Sequence, residues 1–574
     1  MFSRIFAVFL LATLPLCFAQ SAPTFSSANI RNALGYQPKL APGEMFVVFG
    51  SSMGPAALTS AAGPNYPNTL SGTSVSLSNG SGPDFPARMV YTSAGQLAAL
   101  LSSTIAPGTY NMRISYNGLT SAPQSVTVVA RSLGIATANS AGTGVAQATI
   151  GNVNGGISLV RFTTGGVGFN GLDWTLTPAH PGDTLVFWGT GGGADPANDT
   201  GGTSGDQTAA GNFTVNVGGR IITPLYAGAS SGFPGLWQVN FTLPPDVPQG
   251  CFVTAQVTGG GELSNSVVIP IAPPGQSACV DPTLTKDMLA KLDAGGTISI
   301  AGFAASRGTN TFVSTSTPGG NPTSVSASQE IITGGVPLYN ATQFATLQGL
   351  PRVDLCTVND ATYPANSPPG LGAIGSYLDP GTNLTVNGPK LSNAALRVVL
   401  VNPGPVFLLN LTEGTLTDGG TYTLTAGGGK DVAAFTASTT FPTNFTVSNW
   451  NSVTTIDRSR PYQINWTNAS DTVTIILGSS RVVGKTTNNV NIIHNVAIVC
   501  TVPGSRGTYS IPVAALSQLP TAGIDTASLA TGSATLNVQS DTFTPFIAPL
   551  VGGGTTNIAT FTASVQVSKN LIVQ

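Results

Sequence analysis

The sequence predicts an all-β protein of tandem immunoglobulin-like β-sandwich domains, and three observations carry that prediction. First, Leu40-Ala-Pro-Gly-Glu-Met-Phe-Val-Val-Phe-Gly50 and Ala179-His-Pro-Gly-Asp-Thr-Leu-Val-Phe-Trp-Gly189 each read as a Pro-Gly turn, an acidic residue, a strand and a glycine, 139 residues apart. Second, period-two apolar alternation is broken by Gly, Pro or Asn every ~8–12 residues, the pattern of sandwich strands with one buried face. Third, charged residues make up 8% of the chain, against roughly 25% in ordinary soluble domains. Gly (70) and Pro (41) are abundant instead, while 41% hydrophobic residues supply apolar surface for several cores.

The elements follow in chain order. Residues 1–19 read as a secretory signal peptide: Arg4, the apolar run from Ile5 to Ala12, and small residues before a cut after Ala19. A lipid anchor on Cys17 is disfavoured by the bulky Leu16 before it. Residues 20–135 form the first sandwich repeat and 136–275 the second. Ser74–Leu77 answers Thr214–Val217, Val90-Tyr91 answers Leu225-Tyr226, and Ser125–Val128 answers Ser266–Ile269. Tyr110, Met112, Ile114 and Tyr116 are expected on one strand face, ending at an Asn117-Gly118 turn. The Gly-rich stretch 142–171 reads as a strand-bearing extension completing the second repeat. Residues 276–293 are a linker with a short helix over Leu284–Leu292, followed by a third β-domain (294–447) and a fourth (448–574). In the fourth, Tyr462, Ile464 and Trp466 share a face.

Beyond the signal peptide four cysteines remain: Cys251, Cys279, Cys356 and Cys500. An even count in an exported chain reads as disulfides, with three possible connectivities. Proximity favours Cys251 with Cys279 and therefore Cys356 with Cys500; four unpaired buried thiols are the alternative. No C-x-x-C spacing points to a metal.

The net charge of −2, from 21 basic and 23 acidic residues, offers no patch for nucleic acid. No segment reaches the ~18 apolar residues of a membrane span. Only His180 and His494 could serve a serine nucleophile, and they read as a turn and a strand residue. Gly50-Ser-Ser-Met-Gly54 and Gly228-Ala-Ser-Ser-Gly232 match G-x-S-x-G without its strand-to-helix context. Gly478–Thr486 mimics a phosphate loop but has one residue too many between its glycines, so it reads as a hairpin loop. Asp195-Pro-Ala-Asn-Asp199, with Asp206, is the densest oxygen cluster; a solvated loop is favoured over calcium. Trp188 and Trp466 read as core; Trp237 and Trp450 are the tryptophans with a chance of exposure, as a sugar-stacking platform needs, and a core or interdomain role is favoured for each; Trp174 is unassigned. Residues 51–70 and 190–211 are the loops where recognition is expected.

Pro42-Gly-Glu44 with Phe49-Gly50, and Pro181-Gly-Asp183 with Trp188-Gly189, Trp237-Gln-Val-Asn240 and Pro248-Gln-Gly250, resemble the uncharacterised repeat domain of secreted Acidobacteria (Solibacter-type) proteins. The first repeat departs by carrying Gln96-Leu-Ala98. Leu378-Asp-Pro-Gly381, Gly427-Gly-Gly-Lys-Asp431, Asp457-Arg-Ser-Arg460 and Ile464-Asn-Trp466 also look like secreted proteins of those bacteria. The resemblance covers most of the mature chain and implies an extracellular immunoglobulin-like fold and a bacterial source. It brings no activity or site residues. The expectation is a secreted, non-enzymatic protein without cofactors, with a structural, adhesive or binding role toward an extracellular partner, polysaccharide or protein. A carbohydrate-binding protein is the alternative, and a polysaccharide-active hydrolase a more distant one.

Overall fold

The computed structural model describes residues 21–80, 82–151, 156–169, 172–202, 205–281, 284–314, 323–340, 355–365, 376–401, 404–485, 490–523 and 532–574. The expected signal peptide and Cys17 lie outside them.

The first repeat is a sandwich. Thr24–Asn32, Met45–Ser51, Gln96–Leu100, Arg88–Thr92 and Thr59–Ser60 form one sheet; the other is built around Thr73–Ser78, Gly108–Tyr116 and Gln124–Val128. Alternation places Ile30, Phe46, Val48 and Leu97 against Val75, Leu77, Met112 and Ile114 in one core. The second repeat packs Leu185, Phe187, Val239 and Phe241 against Val215, Val217, Val253 and Ala255 in the same way. Stretch 142–171 contributes Ala148–Gly151, Ile157–Val160 and Gly165–Phe169 to its larger sheet.

The copies agree in register. Val48 pairs with Leu97 as Phe187 pairs with Val239. Phe49 opposes Gln96 as Trp188 opposes Gln238, so Gln96-Leu-Ala98 occupies the place of Gln238-Val-Asn240 despite its different sequence. One match shifts. Leu40 bridges Val128 in parallel and Ala179 bridges Ile271, so Ser125–Val128 corresponds to Val268–Ile271, two residues beyond the expected partner. A two-residue slip keeps every side chain on its face, which is why alternation alone did not expose it.

The linker is a wedge. The helix Lys286–Asp293, capped by Thr285, buries Leu289 and Leu292 in a core shared with Phe162 and Phe252 of the second repeat and Ile298, Tyr339 and Ile558 of the C-terminal half. Asp293 fixes it by accepting from the N–H groups of Phe162 (3.2 Å) and Thr163 (2.8 Å) and from the Thr163 hydroxyl (2.9 Å).

Beyond the helix, one twelve-stranded sheet runs through residues assigned to both the third and fourth domains. Two small sheets pack on it. One buries Val386, Tyr422 and Leu424 against Phe303, Ile332, Phe407 and Phe561. The other buries Ile464, Trp466 and Ile511 against Ile475, Leu477, Ile498 and Leu536. Strand Ile558–Val573 serves both cores and lies parallel to Ile298–Ser314, with Ile300 opposite Ile558 and Thr311 opposite Lys569. Two cores exist, but residue 447 does not divide the chain between them. The phosphate-loop mimic is also placed: Gly478–Lys485 lies within the strand Thr472–Lys485, not in a hairpin loop.

Both disulfides form as paired above: Cys251–Cys279 within the wedge core, and Cys356–Cys500 between directly opposed strand residues. Replacing Cys251 and Cys279 together by serine releases a cross-link spanning 28 residues, which is expected to cost about 3–4 kcal/mol. Urea unfolding followed by intrinsic fluorescence should show the lower midpoint.

Candidate functional site

In each Pro-Gly turn the glycine lets the chain reverse, and the acid then reaches back three residues. Glu44 Oε2 accepts from the Ala41 N–H at 2.6 Å, and Asp183 Oδ2 from the His180 N–H at 2.7 Å. The acid in the repeat is thus a turn clamp. His180 is the turn residue expected, with Nδ1 3.4 Å from Asp183 and Nε2 2.9 Å from the Gln276 carbonyl. His494 lies in the strand Asn491–Pro503, as its neighbours predicted.

The two clamps differ in surroundings. Asp183 keeps partial exposure, whereas Glu44 is 0% exposed at the joint between the two repeats. There Thr190 Oγ1 accepts from the Met45 N–H (2.9 Å) and donates to the Gly235 carbonyl (2.6 Å). Asn32 Nδ2 donates to the Ser132 and Thr190 carbonyls at 3.0 and 3.3 Å. Arg131 donates to the Gly192 carbonyl and lies over the Phe213 ring. Gly192 has to be glycine, since a Cβ there would sit 2.1 Å from the Trp237 ring.

Loop 190–211, expected to be a free recognition loop, is corrected over residues 190–200, which form part of this joint, while Asp206 stays exposed. Asp195 caps the short helical turn Pro196–Thr200. Asn198 and Asp199 are buried. Asp199 accepts from the Ser103 N–H (3.1 Å) and hydroxyl (3.0 Å) across the joint, and Arg88 donates to the Asp199 carbonyl at 2.6 Å. Asp206 is occupied by the N–H and hydroxyl of Thr208 and the N–H of Ala227, which hold its pKa below the ordinary aspartate value. The oxygen cluster therefore serves backbone and hydroxyl donors. Among the described residues no group of three or more His, Cys, Asp or Glu is placed to hold a metal ion. Loop 51–70 remains largely exposed, with Leu58 at 58%. A cavity of about 210 Å³ lies where the two loops approach, between Asn68, Arg88, Thr104 and Asp199.

The tryptophans fall partly as expected. Trp237, with a core or interdomain role favoured over exposure, is 0% exposed beside Phe213. Trp188, expected in the core, is half-buried on the outer sheet face and donates to Thr149 Oγ1 at 3.0 Å. Its neighbour Phe187 is the core residue, because alternation sends adjacent residues to opposite faces. Trp466 is core, donating to the Gly504 carbonyl. Trp450 is half-buried beneath the Lys569 ammonium, 4.6 Å from its ring centroid.

Two further motifs of the C-terminal half prove architectural. Asp431 Oδ2 accepts from the Asp379 N–H, and the Asp379 carbonyl accepts from Asp431 and Val432, locking Leu378–Gly381 to Gly427–Asp431. Asp457 gathers the Ser459 N–H and hydroxyl and Arg460 Nε, and those contacts draw its carboxyl down to about 2.

No protein-family model and no curated protein matches this chain. Among solved structures, an I-band fragment of titin aligns over 72% of this chain and 98% of its own at 8% identity (TM-score 0.09). An endo-fucoidan hydrolase of glycoside hydrolase family 107 aligns over 70% and 42% at 11% identity (TM-score 0.11). Domains 4–9 of the surface layer protein SbsC align over 95% and 65% at 12% identity (TM-score 0.12). None superposes on the chain as a whole, and the fold assignment rests on the sheets and cores described above.

Burial holds the Glu44 carboxyl well above the usual glutamate range, only partly offset by the Ala41 N–H. A carboxyl whose pKa is higher folded than unfolded binds more protons in the folded state. Its penalty is absent below the unfolded value, near 4.5, and grows as pH rises toward the folded value. Calorimetry across this window should show wild type losing Tm relative to Glu44→Gln as pH rises; a pH-independent difference would remove Glu44 as the cause.

Proposed function

We propose that the chain is an exported, non-catalytic structural protein whose β-modules are locked at fixed angles to hold surfaces apart outside the cell. One observation carries this reading: the polar groups best suited to a site, Glu44, Asp199, Arg88 and Asn32, place their hydrogen bonds between or within modules, Arg88 and Asp199 doing so at the wall of the small cavity between the two loops. Two disulfides support an oxidising compartment. The predicted leader and the resemblance to secreted bacterial repeat proteins support the same placement.

A fixed joint is measurable. Removing the Asp199 carboxylate strands the buried Ser103 N–H, at ~1–3 kcal/mol, and removing Arg88 frees the loop's backbone. The double variant Arg88→Ala, Asp199→Ala should keep its β-sheet circular dichroism. It should show a larger radius of gyration by small-angle X-ray scattering and faster amide exchange at Ser103 and 195–200. Unchanged dimensions would count against the locked joint. Release of reducing ends from a polysaccharide panel by the purified protein would overturn the non-catalytic reading.

A further inference from the structure

We propose that the cleft where the first repeat, the second repeat and the C-terminal half meet binds a single uncharged, hydroxyl-rich ring, a neutral sugar unit. The cleft encloses about 210 Å³ and is lined by Tyr36, Gln37 and Lys39 of the first repeat, Glu262 and Ser266 of the second, and Gln518 of the C-terminal half.

Most of its frame is hydrogen-bonded to backbone. Asn265 Oδ1 accepts from the Ile135 N–H (2.7 Å), and Nδ2 donates to the Ile135 (2.9 Å) and Gly142 (2.8 Å) carbonyls. Ser264 and Ser132 hydroxyls are engaged with backbone. Two atoms of lining residues have none: Gln37 Oε1 and Ser266 Oγ are buried without a hydrogen-bond partner. Such atoms are stabilised by a partner bringing both a donor and an acceptor, and a hydroxyl does both.

Charge defines the rest. Lys39 Nζ donates to both Glu262 oxygens, at 3.0 and 3.1 Å, so the cleft's two charges neutralise one another and favour neither anion nor cation. The volume falls below the ~300 Å³ lower end of drug-sized pockets, which selects one ring over a chain. Tyr36 contributes the apolar wall, its ring stacked on Phe49 and its hydroxyl donating to the Ser140 carbonyl. It does so at φ 59, a left-handed conformation rare for a bulky residue and concentrated at ligand sites. The expected sugar platform of exposed tryptophans is not used.

Saturation-transfer difference NMR on the full chain tests this with glucose, galactose, mannose, xylose and N-acetylglucosamine, and glucuronate and glucosamine as charged counterparts. At least one neutral sugar should receive saturation at millimolar concentration. Ser266→Ala, which removes only an unpartnered hydroxyl, should weaken binding about tenfold with Tm unchanged; Gln518→Ala should weaken it too. Saturation of the charged sugars alone, of none, or of a neutral sugar equally in both variants would overturn the proposal.

Discussion

The contact on which the N-terminal half depends is a carboxylate accepting a backbone N–H three residues upstream. It closes the Pro-Gly turn, sets the start of the following strand, and so fixes the register of the sheet that holds that strand in each repeat. In the second repeat the acid stays within its own module, beside His180. In the first, the same acid sits in the joint with no solvent around it, so a device for turning the chain also decides how one module meets the next. A chain with so few charges has little redundancy in such contacts. Glu44, Arg88, Asp199 and Asp293 each hold a junction that a more charged protein could build several ways.

The modules are not beads on a flexible string. The predicted linker helix is the centre of a shared core, and Asp293 ties its C-terminal end to the second repeat. One sheet then carries the fold across the boundary expected at residue 447. The C-terminal half is therefore two cores with a common wall.

Much of this was legible in the sequence, for physical reasons that also explain what was not. Strand alternation and turn chemistry are local, so the repeats, the Gly108–Tyr116 face, the helix and the Tyr462–Trp466 face could be read directly. The disulfides followed from cysteine number and proximity. Burial by another module leaves no periodic mark. Loop 190–211 has the composition of a solvated loop because it must supply turns and caps, yet its Asp199 meets Ser103 and Arg88 instead of water. The complete burial of Trp237 was not legible beside Gly235, because Gly192, which makes room for its ring, is distant in sequence. Trp188 was misplaced by comparison with Phe49, itself half-buried on the outer face; the copies agreed with each other, but not with the core. The Gly478–Lys485 strand escaped notice because glycine and serine signal turns unless a neighbouring strand pairs them. The three-way cleft was invisible, since its walls come from segments hundreds of residues apart.

The parallel pairing of Ile298–Ser314 with Ile558–Val573 has a mechanical consequence. The chain enters the C-terminal half at the start of one strand and leaves at the far end of the other. Tension between those ends acts along the strands. The twelve residue pairs from Ile300–Ile558 to Thr311–Lys569 are then loaded in shear and must yield together, instead of unzipping singly. A sheet whose first and last strands in chain order are neighbours at its centre resists being drawn out along them.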